Sequence, residues 1–99
     1  MRVSILPAAQ AEIEEAAKWY EVAREGLAAE FLNEVDAGLR QVADFSHAWH
    51  PLSQRVRRYR LNRFPYGKVY QVRQEEVLIV AVAHLHRHPE YWRHRLERP

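Results

Sequence analysis

The 99-residue sequence predicts an α+β fold in which a small antiparallel sheet packs against an N-terminal helical hairpin. Two observations predict it: the first half carries two segments with helical hydrophobic periodicity, and the second half carries three β-rich segments. The expected order of elements is strand, helix, helix, strand, strand, strand, helix, with the helices on one side of the sheet. One domain over residues 1–99 is expected, because a chain of this length supports one modest core.

The first half of the chain predicts a short strand followed by two helices. Arg2–Leu6 alternates weakly and is the candidate strand, and Pro7 suits the first turn of a helix. Ala8–Arg24 has apolar residues at helical spacing, and Glu25-Gly26 breaks the pattern. Leu27–Phe45 then shows the clearest periodicity in the chain, because its apolar residues recur every three or four positions. Since the break is short, the two helices are expected to form an antiparallel hairpin.

The second half predicts the sheet. Val56–Leu61, Tyr66–Arg73 and Val77–Leu85 are rich in β-branched and aromatic residues and are expected to be antiparallel strands. Val77–Leu85 is apolar at both parities, which is typical of a strand covered on both faces, so it should lie inside the sheet. Ser46–Gln54 predicts a loop, and Pro89 is expected to start a short terminal helix.

Charge is distributed unevenly along the chain. Residues 1–50 contain 4 Lys/Arg and 9 Asp/Glu, a balance of −5, whereas residues 51–99 contain 11 and 4, a balance of +7. Nearly all the cations of the second half are arginines, which suit bidentate binding of phosphate or carboxylate. The asymmetry indicates an anionic partner, either nucleic acid or an acidic protein segment. Internal pairing of acidic helices with a basic sheet would also account for it.

Several classes of protein are disfavoured by what the sequence lacks. There is no cysteine, which excludes disulfide and thiolate chemistry and fits an intracellular location. No signal peptide and no apolar run long enough to span a membrane is present. The sequence therefore predicts a cytoplasmic protein without membrane insertion.

Three histidines share one parity at the end of the last predicted strand: His84, His86 and His88. Zinc needs three or four converging ligands, which a single strand rarely provides, so no metal or other cofactor is expected. The preferred interpretation is a buried, hydrogen-bonded His84 that closes the sheet, with His86 and His88 on the surface.

Four stretches of the chain carry a resemblance to a known family. They are Trp19-Tyr20, Phe31–Val35, Arg63–Tyr70 and Val82–Trp92. With their spacing they resemble the RelE/ParE toxin superfamily of bacterial type II toxin–antitoxin systems, which includes ParE-like plasmid-stabilisation toxins. The resemblance implies growth inhibition, and a cognate antitoxin whose C-terminal segment wraps the toxin in a hetero-oligomer.

The resemblance leaves two activities open. ParE-like members block DNA gyrase by binding. RelE-like members are metal-independent endonucleases that cut mRNA in the ribosome, so their site needs an acid, a base and cations for the phosphate. In those enzymes an arginine follows directly after the tyrosine that Tyr66 matches, and Gly67 stands there in this chain. This departure favours the ParE-like branch and leaves open whether the protein is an enzyme.

Candidate site residues follow from each activity. If the protein is a nuclease, the resemblance and the titration of histidine near neutrality nominate Arg60, His84, His86, Arg87 and Tyr91. For binding of the antitoxin or target, the candidates are cationic and aromatic: Arg57, Arg58, Arg60, Arg63, Lys68, Trp19 and Tyr20. The aromatics could instead be core residues, and the arginines a solvated cluster that protects an edge strand. An arginine-rich nucleic-acid-binding module without toxin activity is a third reading, although no recognised nucleic-acid motif is present.

Overall fold

A computed structural model describes residues 2–53 and 55–96, and shows two helices packed on one face of a five-stranded sheet. The helices are α1 (Pro7–Ala23) and α2 (Leu27–Asp44). The strands are β1 (Arg2–Ile5), β2 (His50–Pro51), β3 (Val56–Arg60), β4 (Tyr66–Arg73) and β5 (Glu76–His84). The predicted α+β class is confirmed. In the described part of the chain, neither helix combines the length and hydrophobicity needed to cross a bilayer.

The sheet has the strand order β1-β5-β4-β3-β2. β5 lies between β1 and β4, as its two apolar faces predict. The pairs from β2 to β5 are antiparallel, but β1 runs parallel to β5, so the sheet is mixed. The β4–β5 register shifts between Val69 and Tyr70, and this bulge gives β5 one extra residue at Val80.

The main core lies between the helices and the sheet. Phe31, Val35 and Val42 of α2 are buried, and Leu39 is half-buried, so the predicted stripe faces inwards. Tyr20 of α1 joins them against apolar side chains of β4 and β5. This burial stabilises α2, because short helices gain most of their stability from packing of one apolar face.

The opposite face of the sheet, here called the helix-free face, is partly covered by the C-terminal segment. Trp92 is buried there against Val56 and Val69. The prediction of a terminal helix from Pro89 is wrong: the segment forms turns and a four-residue 3-10 helix, Arg93–Leu96. So short a segment is held by its docking contacts rather than by helix propagation.

The predicted loop Ser46–Gln54 contains an additional short strand. β2 pairs with Arg57 and Arg58 of β3 and forms the outer edge of the sheet. Pro51 is tolerated there because a proline has no amide hydrogen to donate to a further strand. Gln54 lies outside the described residues.

Candidate functional site: a groove beside α1 and a basic concavity

A groove of about 510 Å³ lies between α1 and the ends of β4 and β5, and is called the α1 groove below. It is lined by Glu12, Glu15, Ala16, Trp19 and Tyr20 of α1 and by Pro65, Tyr66, Val82, His84 and Arg87. Apolar and aromatic walls with a few polar groups at the rim are typical of binding sites.

The two aromatic residues of α1 have different roles. Trp19 is 67% exposed, whereas Tyr20 is only 8% exposed. The Tyr20 ring packs edge-on against Phe64 and Trp19, with centroid distances of 4.9 and 5.2 Å. Burial raises the pKa of Tyr20, and the nearby Tyr66 adds to the shift. Tyr20 is thus mainly a core residue, and it supports Trp19 at the surface of the groove.

Glu12 connects α1, β5 and the C-terminal segment. Its carboxylate accepts hydrogen bonds from the Val82 amide at 3.0 Å and from the Tyr91 hydroxyl at 2.6 Å. Arg95 donates two further bonds to it at 3.0 Å, and Arg87 lies 3.9 Å away. Glu12 therefore fixes the C-terminal segment beside the α1 groove.

Tyr91 is committed to this network. The Arg87 guanidinium lies 3.9 Å from the centroid of its ring. Burial is the main cause that raises the pKa of Tyr91 well above its ordinary value, and the hydrogen bond to Glu12 adds to the shift. Tyr91 therefore stays protonated at neutral pH, and its only hydroxyl hydrogen is already donated, so it is poorly placed to exchange protons with a substrate.

A smaller concavity lies on the helix-free face, and is called the basic concavity below. Arg58, His84, Arg87 and His88 line it together with apolar residues and Gly67, and no carboxylate of the described residues does. Nε of Arg58 is buried and has no hydrogen-bond partner among the described residues. The two arginines suit an anionic group. His84 and Arg87 line both the basic concavity and the α1 groove.

Gly67 accommodates the side chain of Arg58. A Cβ atom at Gly67 would lie 3.0 Å from both Cγ and Cδ of Arg58. Any larger residue at position 67 therefore requires Arg58 to move. Glycine at position 67 therefore leaves the space that the Arg58 side chain fills.

The predicted binding arginines of β3 do not share one surface. Arg58 and Arg60 lie two positions apart and so face the helix-free side together. Arg57 faces the other side, where it donates a hydrogen bond to the Trp49 carbonyl at 2.8 Å.

Part of the charge asymmetry is paired internally. Arg63 lies 2.6 Å from Glu30 and 3.7 Å from Glu34 of α2, and Arg95 pairs with Glu12 at 3.0 Å. The hydrogen bonds from Arg63 and Arg24 lower the pKa of Glu30. Among the described residues, the two arginines on the helix-free side of β3 have no carboxylate within 4.0 Å. Both interpretations of the asymmetry therefore have structural support.

The Lys68 side chain does not reach the surface of the protein. It is fully buried beneath α2, where its ammonium donates a hydrogen bond to the Val35 carbonyl and lies 5.7 Å from the Tyr59 ring centroid. Gly38 of α2 provides the space, because a Cβ there would meet Nζ of Lys68. Burial lowers the pKa of Lys68 to about 7. The expectation that it contacts a partner therefore needs correction.

The prediction of a buried His84 is wrong, because the side chain is exposed. β1 stops at Ile5, so the end of β5 extends beyond the cover of its neighbour. Nδ1 of His84 accepts a hydrogen bond from the His86 amide at 3.1 Å. Within residues 2–53 and 55–96, no three His, Cys, Asp or Glu side chains are arranged to hold a metal ion.

The residues nominated for nuclease activity are only partly brought together. His84, Arg87 and Tyr91 line the basic concavity, whereas Arg60 and His86 do not. Sequence reasoning also missed Glu12, Glu15, Ala16, Tyr66 and Val82 of the groove. Helical spacing could have identified part of this set, since Glu12 and Ala16 fall on the same face of α1 as Trp19.

Comparison with known proteins agrees with this architecture. A family model described as the ParE toxin of type II toxin–antitoxin systems, parDE, matches residues 3–89. A solved chain from the chromosomal ParDE toxin–antitoxin system of P. aeruginosa superposes with a TM-score of 0.64 at 19% identity, covering 85% of this chain and 95% of that chain. Comparison with curated proteins gave no match. The fold and the matched region define a toxin of the RelE/ParE superfamily. Within it, this chain belongs to the ParE toxin family.

Proposed function

We propose that this protein is the toxin of a type II pair, that it inhibits growth by binding an essential cytoplasmic target such as DNA gyrase, and that a cognate antitoxin neutralises it. Membership of the ParE toxin family supports the assignment as a toxin. The antitoxin would wrap the toxin with its C-terminal segment and form a hetero-oligomer with it. No cofactor takes part.

The observation that carries the choice of binding over catalysis is the packing at Gly67. The resemblance places a phosphate-binding arginine of the nucleases at this position. Here the space belongs to Arg58, whose Cγ and Cδ lie 3.0 Å from the position of a Cβ. The hydroxyl hydrogen of Tyr91 is also engaged by Glu12, so this side chain is not free to act as an acid. A toxin that acts by occupying its target needs neither feature.

The remaining surface charge supports an acidic partner. Arg58 and Arg60 on the helix-free side have no carboxylate within 4.0 Å among the described residues, and would steer an acidic antitoxin segment during association. Such steering acts over long distances and is screened by salt. Replacing both arginines with Gln should therefore lower the association rate at low salt and flatten its dependence on salt.

The test of the activity uses two assays on the purified protein. In the first, DNA gyrase supercoils a relaxed plasmid in the presence of increasing toxin, and inhibition is expected. In the second, the protein is added to translating ribosomes, and intact mRNA is expected. An excess of antitoxin should restore supercoiling and serves as the control. Cleavage within codons that Arg60→Ala and Arg87→Ala abolish would contradict the proposal.

A ribosome-dependent mRNA endonuclease is the second candidate, and the basic concavity favours it. Two arginines and two histidines, Arg58, His84, Arg87 and His88, line this concavity, and none of the described carboxylates does. The ribosome assay separates the two candidates directly. A nucleic-acid-binding module without toxin activity would bind RNA in that assay but neither cleave it nor inhibit gyrase.

A further inference from the structure

The end of β5 forms an open strand edge on the floor of the α1 groove. β1 pairs with β5 only as far as Ile5, which lies opposite Ile79. On its other side, β5 remains paired with β4 as far as His84, which lies opposite Tyr66. In the described part of the chain, the last five residues of β5 therefore have a strand neighbour on one side only.

The hydrogen bonds show which backbone groups face this open edge. The Val82 amide donates to Glu12 at 3.0 Å, so the backbone groups of Val82 point away from β4. The Leu85 amide donates to the Pro65 carbonyl at 2.9 Å, so beyond the bulge at Val80 the backbone groups of the odd-numbered residues point towards β4. By alternation, the Val82 carbonyl and the His84 amide both face the groove, and neither has a backbone partner among the described residues.

These two groups have the spacing that a parallel strand requires. In a parallel ladder, one residue of the added strand donates its amide to the carbonyl of one residue and accepts from the amide two positions later. One residue of an incoming segment can thus bond to both Val82 and His84. β1 already runs parallel to β5 on this side of the sheet, so the added segment would run in the same direction as β1.

The walls of the groove define the side chains that such a segment would carry. Trp19, 67% exposed, and Ala16 line the groove from α1 above the open edge, and an apolar side chain would cover them. At the end of β5, Arg87 favours an acidic residue, because its side chain is 55% exposed and its contact with Glu12 is long, at 3.9 Å. Glu12 is less available to a cation, because Arg95 already pairs with it at 3.0 Å.

We propose that the α1 groove binds an extended segment of the antitoxin as an added strand on β5, with an apolar residue against Trp19 and an acidic residue at Arg87. The identity of the partner rests on the proposed function. The backbone bonds set the direction of the segment, and the burial of Trp19 supplies much of the affinity.

The test measures amide hydrogen exchange by residue-resolved NMR, using the full toxin alone and in complex with the antitoxin encoded beside its gene. The His84 amide should exchange quickly in the free toxin and at least about 100-fold more slowly in the complex, because strand addition gives it a backbone acceptor. Amides of the β4–β5 turn, at the far end of the hairpin, should not change. Docking through side chains alone would leave the exchange of His84 unaltered.

A pair of variants on α1 provides an independent measurement. Trp19→Ala should weaken antitoxin binding at least about 10-fold, as expected for an aromatic anchor in a groove. Val22→Ala is the matched control, because Val22 is also apolar, is 89% exposed on the same helix, and does not line the groove. Its effect should be less than about twofold.

The remaining outcomes contradict either the docking site or the proposed function. If the antitoxin binds with no slowing at His84 and no loss in Trp19→Ala, the groove is not its docking site, although the proposed function stands. If the antitoxin does not bind the unmodified toxin, the proposed neutralisation itself fails. If His84 is protected in a concentration-dependent dimer of the toxin alone, a second copy occupies the groove and the proposal is wrong.

Discussion

Glu12 on α1 accepts a 2.6 Å hydrogen bond from the hydroxyl of Tyr91, a residue 79 positions later in the chain. Together with the two bonds from Arg95, this contact joins the helical hairpin to the C-terminal segment. The same carboxylate satisfies the Val82 amide where β1 has ended. Glu12 thus substitutes for a missing strand partner of Val82, and it fixes the C-terminal segment beside the α1 groove.

Glu12→Gln should destabilise the fold substantially. The substitution leaves the Arg95 side chain, which is 14% exposed, without its counter-charge. Removing one member of such a buried pair costs about 3 kcal/mol of unfolding free energy. Urea denaturation would measure the loss. Glu14→Gln is the control, since Glu14 is exposed and, within residues 2–53 and 55–96, accepts a side-chain hydrogen bond only from Gln10. Equal effects of the two substitutions would contradict the role assigned to Glu12.

Lys68 should make stability depend on pH. Burial lowers its folded-state pKa to about 7 from an ordinary value of 10.5, and the nearby Asp36 and Glu34 offset only part of this shift. Between these two values the unfolded chain binds more protons than the folded protein, so stability rises with pH. Below pH 7 the full penalty for burying the charge is present.

The expected rise between pH 7 and 9 is about 2 kcal/mol, because one pKa unit corresponds to about 1.4 kcal/mol. Chemical denaturation at a series of pH values would measure it. Lys68→Met should remove the rise and increase stability at pH 7. Lys18→Met, at an exposed position of α1, should leave the pH profile unchanged. A rise that persists in Lys68→Met would show that another group titrates.

The elements of the fold could be predicted because their patterns are local. The periodicity of α2 and the two apolar faces of β5 were sufficient to place Phe31 in the core and β5 inside the sheet. The parallel direction of β1 was not predictable in this way, because its partner lies some 70 residues away and alternation does not encode direction. The strand β2 was missed because a strand of two residues is too short to show an alternation of apolar and polar side chains.

The candidate site was less predictable, because it depends on packing between distant segments. Lys68 looked like a surface cation, and only the absence of a side chain at Gly38 explains how an ammonium fits beneath α2. His84 looked like a core residue because it follows an apolar strand, and the early end of β1 leaves it exposed. Nothing in the sequence indicated that Glu12 would contact Tyr91 and Arg95.

Gly38→Ala should destabilise the protein, although alanine is ordinarily the better helix former by about 1 kcal/mol. A Cβ at this position would lie 2.5 Å from Nζ of Lys68 and 2.9 Å from a ring carbon of Tyr59. Overpacking of this kind costs about 1–3 kcal/mol. Thermal or urea unfolding would measure it, and Ala37→Gly at an exposed position of the same helix gives the reference for helix propensity. A gain in stability for Gly38→Ala would contradict the packing described for Lys68.

The central claim, that this chain is a toxin neutralised by a partner that occupies the α1 groove, is tested most directly by counting viable cells after induced expression. Expression of the toxin alone is expected to reduce colony-forming units by about 100-fold or more, and co-expression of the antitoxin from the neighbouring gene should restore them. With Trp19→Ala the antitoxin should rescue incompletely, whereas with Val22→Ala it should rescue fully. Undiminished viability with soluble toxin present, or equal rescue of both variants, would contradict the account.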